Sequence, residues 1–404
     1  MKKSRRATAI VAALSLAIAA CGGDDDATDA TDATEATDQD PTDSTDSTDE
    51  TEATDPPAET TPADASSDDE SSDAPAPTDP PAETTVPVDD CAPLTEPAEV
   101  IVTASSSNLA FAAVFLAQQV GAFEAEGLDV TIEKLSATDA IPQLGQGRVD
   151  VVLSTLSAGT LNAINSGVEL KWTAPLYLSN PESLEGLYVQ SEYAADAASF
   201  DINSIVGGSI ASPAGLGGTS SFIISEQLID AGLTFDDVAY NQLGAPDILI
   251  ALEQGAVEMG WLSTPFWTEA QGNEDLTYIG GFDPDQNGTA MLTGPKLGDR
   301  PDVGAAFFRA IGKTIRDHLA GSDYLDDPET AQAIADSLEL DVADLETPAA
   351  NLFDPMQPLT GADEFAQRMQ TTFLELGGLL EYEEPIASDQ IIDTSMVEAA
   401  RACI

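Results

Sequence analysis

The chain has 404 residues, and 72 acidic residues against 14 Lys and Arg give it a formal net charge of −58. So acidic a surface argues against nucleic acid and anionic lipid headgroups as partners. Three cysteines and a single histidine leave few side chains for metal binding or nucleophilic catalysis. We expect no bound metal and no cofactor.

Residues 1–20 have the pattern of a secretory signal peptide. The basic segment MKKSRR precedes the short apolar run ATAIVAALSLAIAAC, which falls below the roughly 20 apolar residues of a membrane span. The ending Ile18-Ala19-Ala20-Cys21 resembles the lipobox of bacterial lipoproteins, which implies cleavage before Cys21 and lipidation of its thiol. The alternative is an ordinary signal peptide followed by a chance cysteine.

Residues 21–94 are predicted to form an acidic, disordered linker. Thr, Asp, Ala, Ser, Glu and Pro repeat here, as in DATDATDATEATD, and large apolar residues are almost absent. Such a segment cannot bury enough apolar area to offset the entropy of ordering, and its like charges extend it. It would carry the following domain away from the membrane, or be a solvated tail without a partner.

From residue 95 the chain is globular in composition, and predicted strands and helices alternate. VIVTASS, LDVTIEKL and VDVVLST are predicted strands. Between them, NLAFAAVFLAQQVGAF places apolar residues on one helical face, and IPQLGQG ends a second helix. This βαβαβ order predicts an α/β fold with a mostly parallel sheet flanked by helices.

The same order returns later in the chain. At eight positions, the residue 108 positions later in the chain is identical or similar. These positions are Leu135, Ala137, Asp139, Leu144, Gln146, Gly147, Val149 and Asp150. Several matches are apolar, so two generic βαβ units would also explain them. We expect two similarly built lobes, whose strand ends would face each other across a ligand cleft.

The stretch ASPAGLGGTSSF, residues 211–222, has the layout of a phosphate-binding loop before a helix. No GK[ST] follows the glycines, and the last glycine of the dinucleotide pattern is missing. The free N–H groups of the helix start, with hydroxyls at Thr219, Ser220 and Ser221, could bind an anionic or polar solute group. The alternative is plain N-capping by Thr219 or Ser220, which we expect in either case.

Polar and aromatic side chains at predicted strand ends and helix starts are the candidate ligand-binding residues. The set is Ser106, Ser107, Asn108, Thr138, Ser154, Thr155, Tyr177, Gly218, Thr219, Ser220, Trp261 and Ser263. Trp172, Tyr177, Trp261 and Trp267 could stack on a ligand, with core or hinge packing as the alternative for each. Trp261 is the favoured aromatic candidate because it immediately precedes a Leu-Ser-Thr turn.

Cys91 and Cys403 lie at the two ends of the globular part. In an oxidising compartment the economical interpretation is one disulfide that joins the termini of the domain. Two free thiols are the alternative.

The segments SSSNLAFAAVFLAQQVGAFEAEGLDVTI, DAIPQLGQGRVDVVLST and LEQGAVEMGWLSTPFW resemble the solute-binding proteins of ABC importers. The resemblance extends over residues of about 97–400 and is to the nitrate/sulfonate/taurine (NMT1/THI5-like) branch. It implies a two-lobed type II periplasmic-binding fold, with Ser106, Ser107, Ser154, Thr155 and Thr219 lining the pocket. No arginine lies in these loops, which puts a strongly anionic ligand in doubt.

The expected domain order follows from this resemblance. Residues 95–404 would form the solute-binding domain, with lobe 1 at about 95–183 and 286–404 and lobe 2 at about 184–285. The chain would leave lobe 1 near Asn180–Gly186 and return near Gly280–Gly288, and C-terminal helices around 302–320 and 362–377 would pack on lobe 1.

The expected function is capture of a small polar solute outside the cytoplasm by a membrane-anchored lipoprotein, for delivery to an ABC permease and its ATPase. A pyrimidine-like or other aromatic solute is the runner-up, and a surface sensory or adhesive module is a third possibility. Enzyme relatives of this fold use histidine and a cysteine cluster, whereas the single histidine, His318, lies in the predicted helix AIGKTIRDHL. We therefore expect no catalysis, and we expect a monomer.

Overall fold

A computed structural model describes residues 91–264, 266–283, 288–345 and 349–404. The predicted signal peptide, the lipidated Cys21 and nearly all of the predicted linker lie outside these residues. Ten strands are found in the described part: β1 Ala98–Ala104, β2 Leu128–Lys134, β3 Val151–Thr155, β4 Lys171–Ala174, β5 Gly186–Gln190, β6 Ser209–Ser212, β7 Ala239–Gln242, β8 Met259–Leu262, β9 Leu276–Gly281 and β10 Thr289–Thr293.

The helices of the described residues alternate with these strands and continue after the last one. They are α1 Ala112–Gln119, α2 Ala122–Ala125, α3 Ala137–Gly145, α4 Ala158–Asn165, α5 Thr219–Asp230, α6 Ala245–Glu253, α7 Phe266–Ala270, α8 Pro295–Gly298, α9 Pro301–Thr314, α10 Pro328–Leu338, α11 Ala362–Leu376, α12 Ser388–Ile391 and α13 Ser395–Arg401. A π-helical turn, Ile315–Leu319, extends α9, and single 3₁₀ turns lie at Leu109–Phe111, Ala197–Ser199, Ile202–Ile205 and Val342–Leu345.

The strands form two five-stranded sheets with the same plan. The first sheet has the order β2-β1-β3-β10-β4 and the second β7-β6-β8-β5-β9. In the first sheet β10 is antiparallel to its neighbours β3 and β4, and in the second sheet β5 is antiparallel to β8 and β9. The other four strands of each sheet run in one direction. The predicted α/β fold with mostly parallel sheets is confirmed. The reversed strand, which the sequence did not indicate, is in each case the first one after the chain crosses from the other sheet.

Helices cover both faces of each sheet. On the first sheet, one face packs against α1, α9, α10 and α13, and the other against α3, α4 and α11. On the second sheet, α5 covers one face, and α6 with α7 covers the other. Burial on both faces explains why the central strands are continuous apolar runs rather than alternating ones. We call each sheet with its helices a lobe.

The internal sequence repeat is visible in the geometry. Helices α3 and α6 have equal length and begin at matched positions of the repeat, and each is followed closely by a glycine with positive φ, Gly147 or Gly255. Asp150 accepts a hydrogen bond from the Ile101 N–H at 2.8 Å, and its repeat counterpart Glu258 accepts one from the Ser209 N–H. Because Ile101 and Ser209 are also matched positions of the repeat, the same acid-to-strand contact recurs in both lobes.

The lobes also pack on each other through α5 and α11. Phe222 of α5 lies edge-on against Phe365 and Phe373, with ring centroids 5.2 and 6.2 Å apart. Arg368 of α11 pairs with Glu226 of α5 at 2.8 Å. A helix of the second lobe therefore contributes to the core of the first.

The two ends of the described chain are tied together. Cys91 and Cys403 form a disulfide, with Cα atoms 5.3 Å apart. Close by, the Arg309 guanidinium contacts the Ala92 carbonyl oxygen at 3.1 Å and is buried against Glu126. The C-terminal helix α13 packs against α9, so the end of the chain is part of the first lobe.

Candidate functional site

The carboxyl-terminal edges of the two sheets face each other. Leu156 follows β3 in the first lobe, and its carbonyl oxygen accepts a hydrogen bond from Thr219 Oγ1 of α5 at 3.0 Å. The Ala158 N–H, which begins α4, donates to the Gly217 carbonyl oxygen at 2.8 Å. Loops that are distant in sequence thus meet where ligands bind in α/β folds.

A glycine permits this approach. A Cβ atom on Gly217 would lie 2.7 Å from Ala158 Cβ, closer than nonbonded carbon atoms come. The glycine-rich stretch therefore allows the second lobe to pack closely against the first. This close packing, rather than the geometry of a nucleotide-binding loop, explains why glycine is present here.

The start of α5 differs from the expectation. Gly218 precedes the helix and offers no side-chain acceptor to its first turn, so the prediction of capping by Thr219 or Ser220 is wrong. The Thr219 hydroxyl bonds to Leu156 instead, and Ser220 Oγ lies 2.6 Å from Ser212 Oγ. With these hydroxyls engaged, the first-turn N–H groups are what α5 can offer to an anion or carbonyl.

The loop after β1 supplies the first-lobe side of the edge. Asn108 caps the short helix that follows, accepting from the Ala110 N–H at 2.9 Å, and its amide donates to Ser106 Oγ at 3.0 Å. Ser107 Oγ is buried and has no hydrogen-bond partner among the described residues. A buried hydroxyl without a partner is costly, by about 1–3 kcal/mol, which distinguishes Ser107 from Ser106 and Asn108 in the same loop.

Other predicted residues lie at the same edge with different exposure. Ser154 and Thr155 end β3, beside β10, and both are half-buried. Ser263, after β8, is also half-buried, and its carbonyl oxygen accepts from the Trp267 N–H at 3.3 Å. Thr138 is exposed in the first turn of α3, beyond the outer strand β2.

The four aromatic candidates are buried. Trp172 Nε1 donates to the Thr289 carbonyl oxygen at 2.9 Å, inside the first lobe. Trp261 is 2% exposed and its ring lies 4.6 Å from that of Phe282. Trp267 is fully buried in the second lobe, and Tyr177 lies in the core of the first. In this conformation all four rings pack against the protein.

Sequence reasoning overlooked Glu185, which lies at the crossover between the lobes directly before β5. The Trp261 side chain and Thr264 lie close enough to its carboxyl group for hydrogen bonding to lower the pKa of Glu185. Burial raises the pKa of Glu185 from its usual 4.5 to about 7, although these hydrogen bonds lower it. Nothing in the segment PESLEG distinguishes this glutamate from Glu182, which is exposed; the tertiary fold alone makes the difference.

Two tyrosines lie near this carboxylate. Burial raises the pKa of Tyr177 well above 10, and the negative charge of Glu185 raises it further. The same two causes, in the same order, raise the pKa of Tyr278. Both phenols are therefore neutral at physiological pH, and Glu185 is the group whose charge changes near neutrality.

Within the described ranges, His, Cys, Asp and Glu side chains nowhere gather in a group of three that could hold a metal ion. No helix in the same ranges combines the length and apolarity needed to cross a membrane.

Solved structures with the same fold include several from bacteria. A protein of Bordetella bronchiseptica RB50 matches with a TM-score of 0.55 and 17% identity, over 76% of this chain and 97% of that one. The periplasmic nitrate-binding protein NrtA of Synechocystis PCC 6803 matches with 0.52 and 15%, over 77% and 90%. The periplasmic aliphatic sulphonate-binding protein SsuA of Escherichia coli matches with 0.51 and 16%, over 74% and 92%. The predicted periplasmic-binding-protein fold is thereby confirmed.

Sequence comparison points to a family. No curated protein matches the chain. The family model described as NMT1/THI5 like matches residues 108–320, more than half of the chain, and these residues span both lobes. The chain therefore belongs to the NMT1/THI5-like family.

Proposed function

We propose that the protein is the extracytoplasmic solute-binding component of an ABC importer. The observation that carries this proposal is the meeting of the two sheet edges, where Leu156 and Ala158 of one lobe bond to Thr219 and Gly217 of the other. A solute held at that edge would contact both lobes at once and hold them together. Two solved structures of the same fold, a periplasmic nitrate-binding protein and a periplasmic aliphatic sulphonate-binding protein, support a solute-binding role outside the cytoplasm.

The proposed pocket combines first-turn N–H groups of α5 with hydroxyls at the edge of the first sheet. Ser107 is the sharpest candidate, because its buried Oγ has no partner among the described residues. Ser106, Ser154, Thr155 and Ser263 are proposed to complete the polar lining. The groups named here bind and orient a solute; none forms a catalytic pair, and we propose no enzymatic activity.

Anchoring and delivery extend the proposal to the rest of the chain. Cleavage before Cys21 and lipidation of its thiol would fix the protein to the outer face of the cell membrane, with residues 21–94 as a spacer. A monomer would then present its loaded lobes to a permease coupled to an ATPase. Mass spectrometry of the membrane fraction should find an acylated N-terminus at Cys21, and a Cys21→Ser variant that stays membrane-bound would contradict the anchor.

The solute-binding role can be tested with Ser107→Ala. Purified full-length protein would be screened by thermal shift against nitrate, ethanesulfonate, taurine and 4-aminopyrimidine, and titrated calorimetrically with each hit. The variant should bind a hit about 5- to 150-fold more weakly, since a lost hydrogen bond to a buried polar group costs about 1–3 kcal/mol. Without solute it should be at least as stable as the wild type, because an unpaired buried hydroxyl is removed.

The matched control is Ser105→Ala, two residues upstream, where the side chain is exposed. This control should bind as the wild type does. Equal binding by the Ser107 variant and the wild type would remove Ser107 from the pocket, and failure of every solute to bind the wild type would contradict the solute-binding role itself.

A further inference from the structure

The second lobe carries no basic side chain. From the start of β5 to the end of β9, residues 186–281 contain thirteen Asp and Glu but no Lys, Arg or His. All ten Lys and Arg that follow Cys91 belong to the first lobe, where acidic residues nevertheless outnumber them. Both lobes therefore have a net negative charge, and only the first has cations that can offset part of its own.

The carboxylates of the second lobe lie at its surface. Ten of the thirteen are exposed and the other three are half-buried. Because the lobe has no cation, each of them can form an ion pair only with a group of the first lobe. Among the described residues Glu226 alone does so, with Arg368. The remaining charge of the second lobe is screened only by dissolved salt.

Arg368 is bound to the second lobe in two ways. Its Nη2 donates to both carboxylate oxygens of Glu226, at 2.9 and 2.8 Å, and its Nε donates to one of them at 3.2 Å. The guanidinium also lies over the ring of Phe222, 5.6 Å from the centroid, which is the distance of a cation–π contact. A planar guanidinium can make both contacts at once, so Arg368 attaches α11 firmly to α5.

The contacts around this ion pair do not depend on charge. Phe222 packs against the aromatic rings of α11, and a Cβ atom on Gly288 would lie 2.5 Å from Phe365 Cζ and 2.8 Å from Thr219 Cγ2. The chain therefore returns to the first lobe in close contact with both α5 and α11. A second contact between the lobes, in which Ala349 joins the apolar cluster of α6 and α7, is also uncharged.

Repulsion between the lobes and the attraction of Arg368 for Glu226 differ in range. The Debye length is about 30 Å at 0.01 M salt and about 3 Å at 1 M. Carboxylates spread over two lobes act on one another across distances on the order of 10 Å or more, so 1 M salt removes most of their repulsion. The two charges of the ion pair are in direct contact at 2.8 Å, and salt screens them much less.

We propose that the two lobes repel each other, that Arg368 holds them together at α5, and that the ionic strength of the medium sets how far they separate. At low salt the facing edges move apart around the α5–α11 contact, and at high salt they approach. The ligand-free protein responds in this way, whichever solute the cleft takes.

The test measures the distance between the lobes by double electron–electron resonance of two spin labels. The labels would be attached at Ser105→Cys and Gln242→Cys, exposed positions at the facing edges, in full-length protein that carries Cys21→Ser. Cys91 and Cys403 are bonded to each other and do not react. We expect the distance in about 0.01 M KCl to exceed that in about 1 M KCl by about 2 Å or more, the size of an ordinary domain rearrangement.

Two variants with the same change of charge test the role of Arg368. Arg368→Gln and Arg148→Gln each remove one cation from the first lobe, but Arg148 is exposed and forms no ion pair among the described residues. Arg368→Gln should lengthen the distance in dilute KCl and increase its change with salt, whereas Arg148→Gln should match the wild type. Equal distances at the two salt concentrations in the wild type would overturn the repulsion between the lobes. Equal distances in the two variants would overturn the role of Arg368.

Discussion

Replacing Glu185 by Gln should stabilise the ligand-free protein at alkaline pH. Burial raises the pKa of the folded-state carboxyl from 4.5 to about 7. An acid whose folded-state pKa is raised binds more protons when folded than when unfolded, so stability falls as pH rises from about 4.5 through about 7. Glutamine does not titrate and avoids this loss.

The size of the effect follows from the two pKa values. One pKa unit corresponds to about 1.4 kcal/mol, so ionised Glu185 costs the folded state about 3 kcal/mol relative to the unfolded chain as an upper value. Partial exposure of the side chain reduces this cost through solvent screening. We therefore expect the variant to gain about 1–3 kcal/mol over the wild type at pH 8, and about a quarter of that at pH 5, where the carboxyl is protonated in the folded state but mostly ionised in the unfolded chain.

The measurement is urea denaturation of wild type and Glu185→Gln at both pH values. All other carboxylates titrate alike in the two proteins, so their contributions cancel in the difference, and Tyr177 and Tyr278 remain neutral throughout because their pKa values are raised above 10. Glu182→Gln, at an exposed site three residues upstream, is the matched control variant. A stability difference between Glu185→Gln and wild type that is the same at pH 5 and pH 8, within the error of the measurement, would refute the raised pKa.

Three further changes probe the fold around the site. Gly217→Ala should separate the facing loops, because its Cβ would lie 2.7 Å from Ala158 Cβ. X-ray scattering in solution should then show a larger radius of gyration for the variant than for the wild type. An equal radius for the two proteins would argue against the close approach of the loops. Arg309→Met should lower the free energy of unfolding by about 3 kcal/mol, since Glu126 stays buried with only one cation left; a urea midpoint equal to that of the wild type would contradict this. Cys403→Ser opens a disulfide that spans 312 residues and should cost about 2–5 kcal/mol, whereas a wild type equally stable with and without reductant would show that the bond contributes nothing.

The α/β plan was predictable because its signals are local. Apolar runs and helical periodicity indicate the strands and helices. The internal sequence repeat corresponds in the structure to α3 and α6, two helices of equal length. The reversed strand of each sheet was not predictable in the same way. Its direction depends on where the chain crosses between lobes, and a short apolar strand carries no mark of its direction.

The site was less predictable because side-chain partners are set by the tertiary fold. The Thr219 hydroxyl is taken by a carbonyl oxygen 63 residues earlier in the chain, not by its own helix. Trp261 and Trp267, expected as candidate ligand walls, are buried, and Trp267 Nε1 donates to Thr264 Oγ1. The sequence pattern placed the candidate residues at the carboxyl-terminal edge of each sheet, but it could not indicate which of their side chains are already engaged by other parts of the chain.

The most direct test of the proposed function is calorimetric titration of purified full-length protein with nitrate, ethanesulfonate, taurine and 4-aminopyrimidine at pH 8. We predict saturable binding of at least one of them, with one site per chain and a dissociation constant of about 1 μM or lower, equivalent to about −8 kcal/mol. The same titration with Ser107→Ala should show binding weaker by about 5-fold or more. Absence of saturable heat for all four solutes, from a protein shown to be folded, would contradict the claim that this cleft captures a small polar solute.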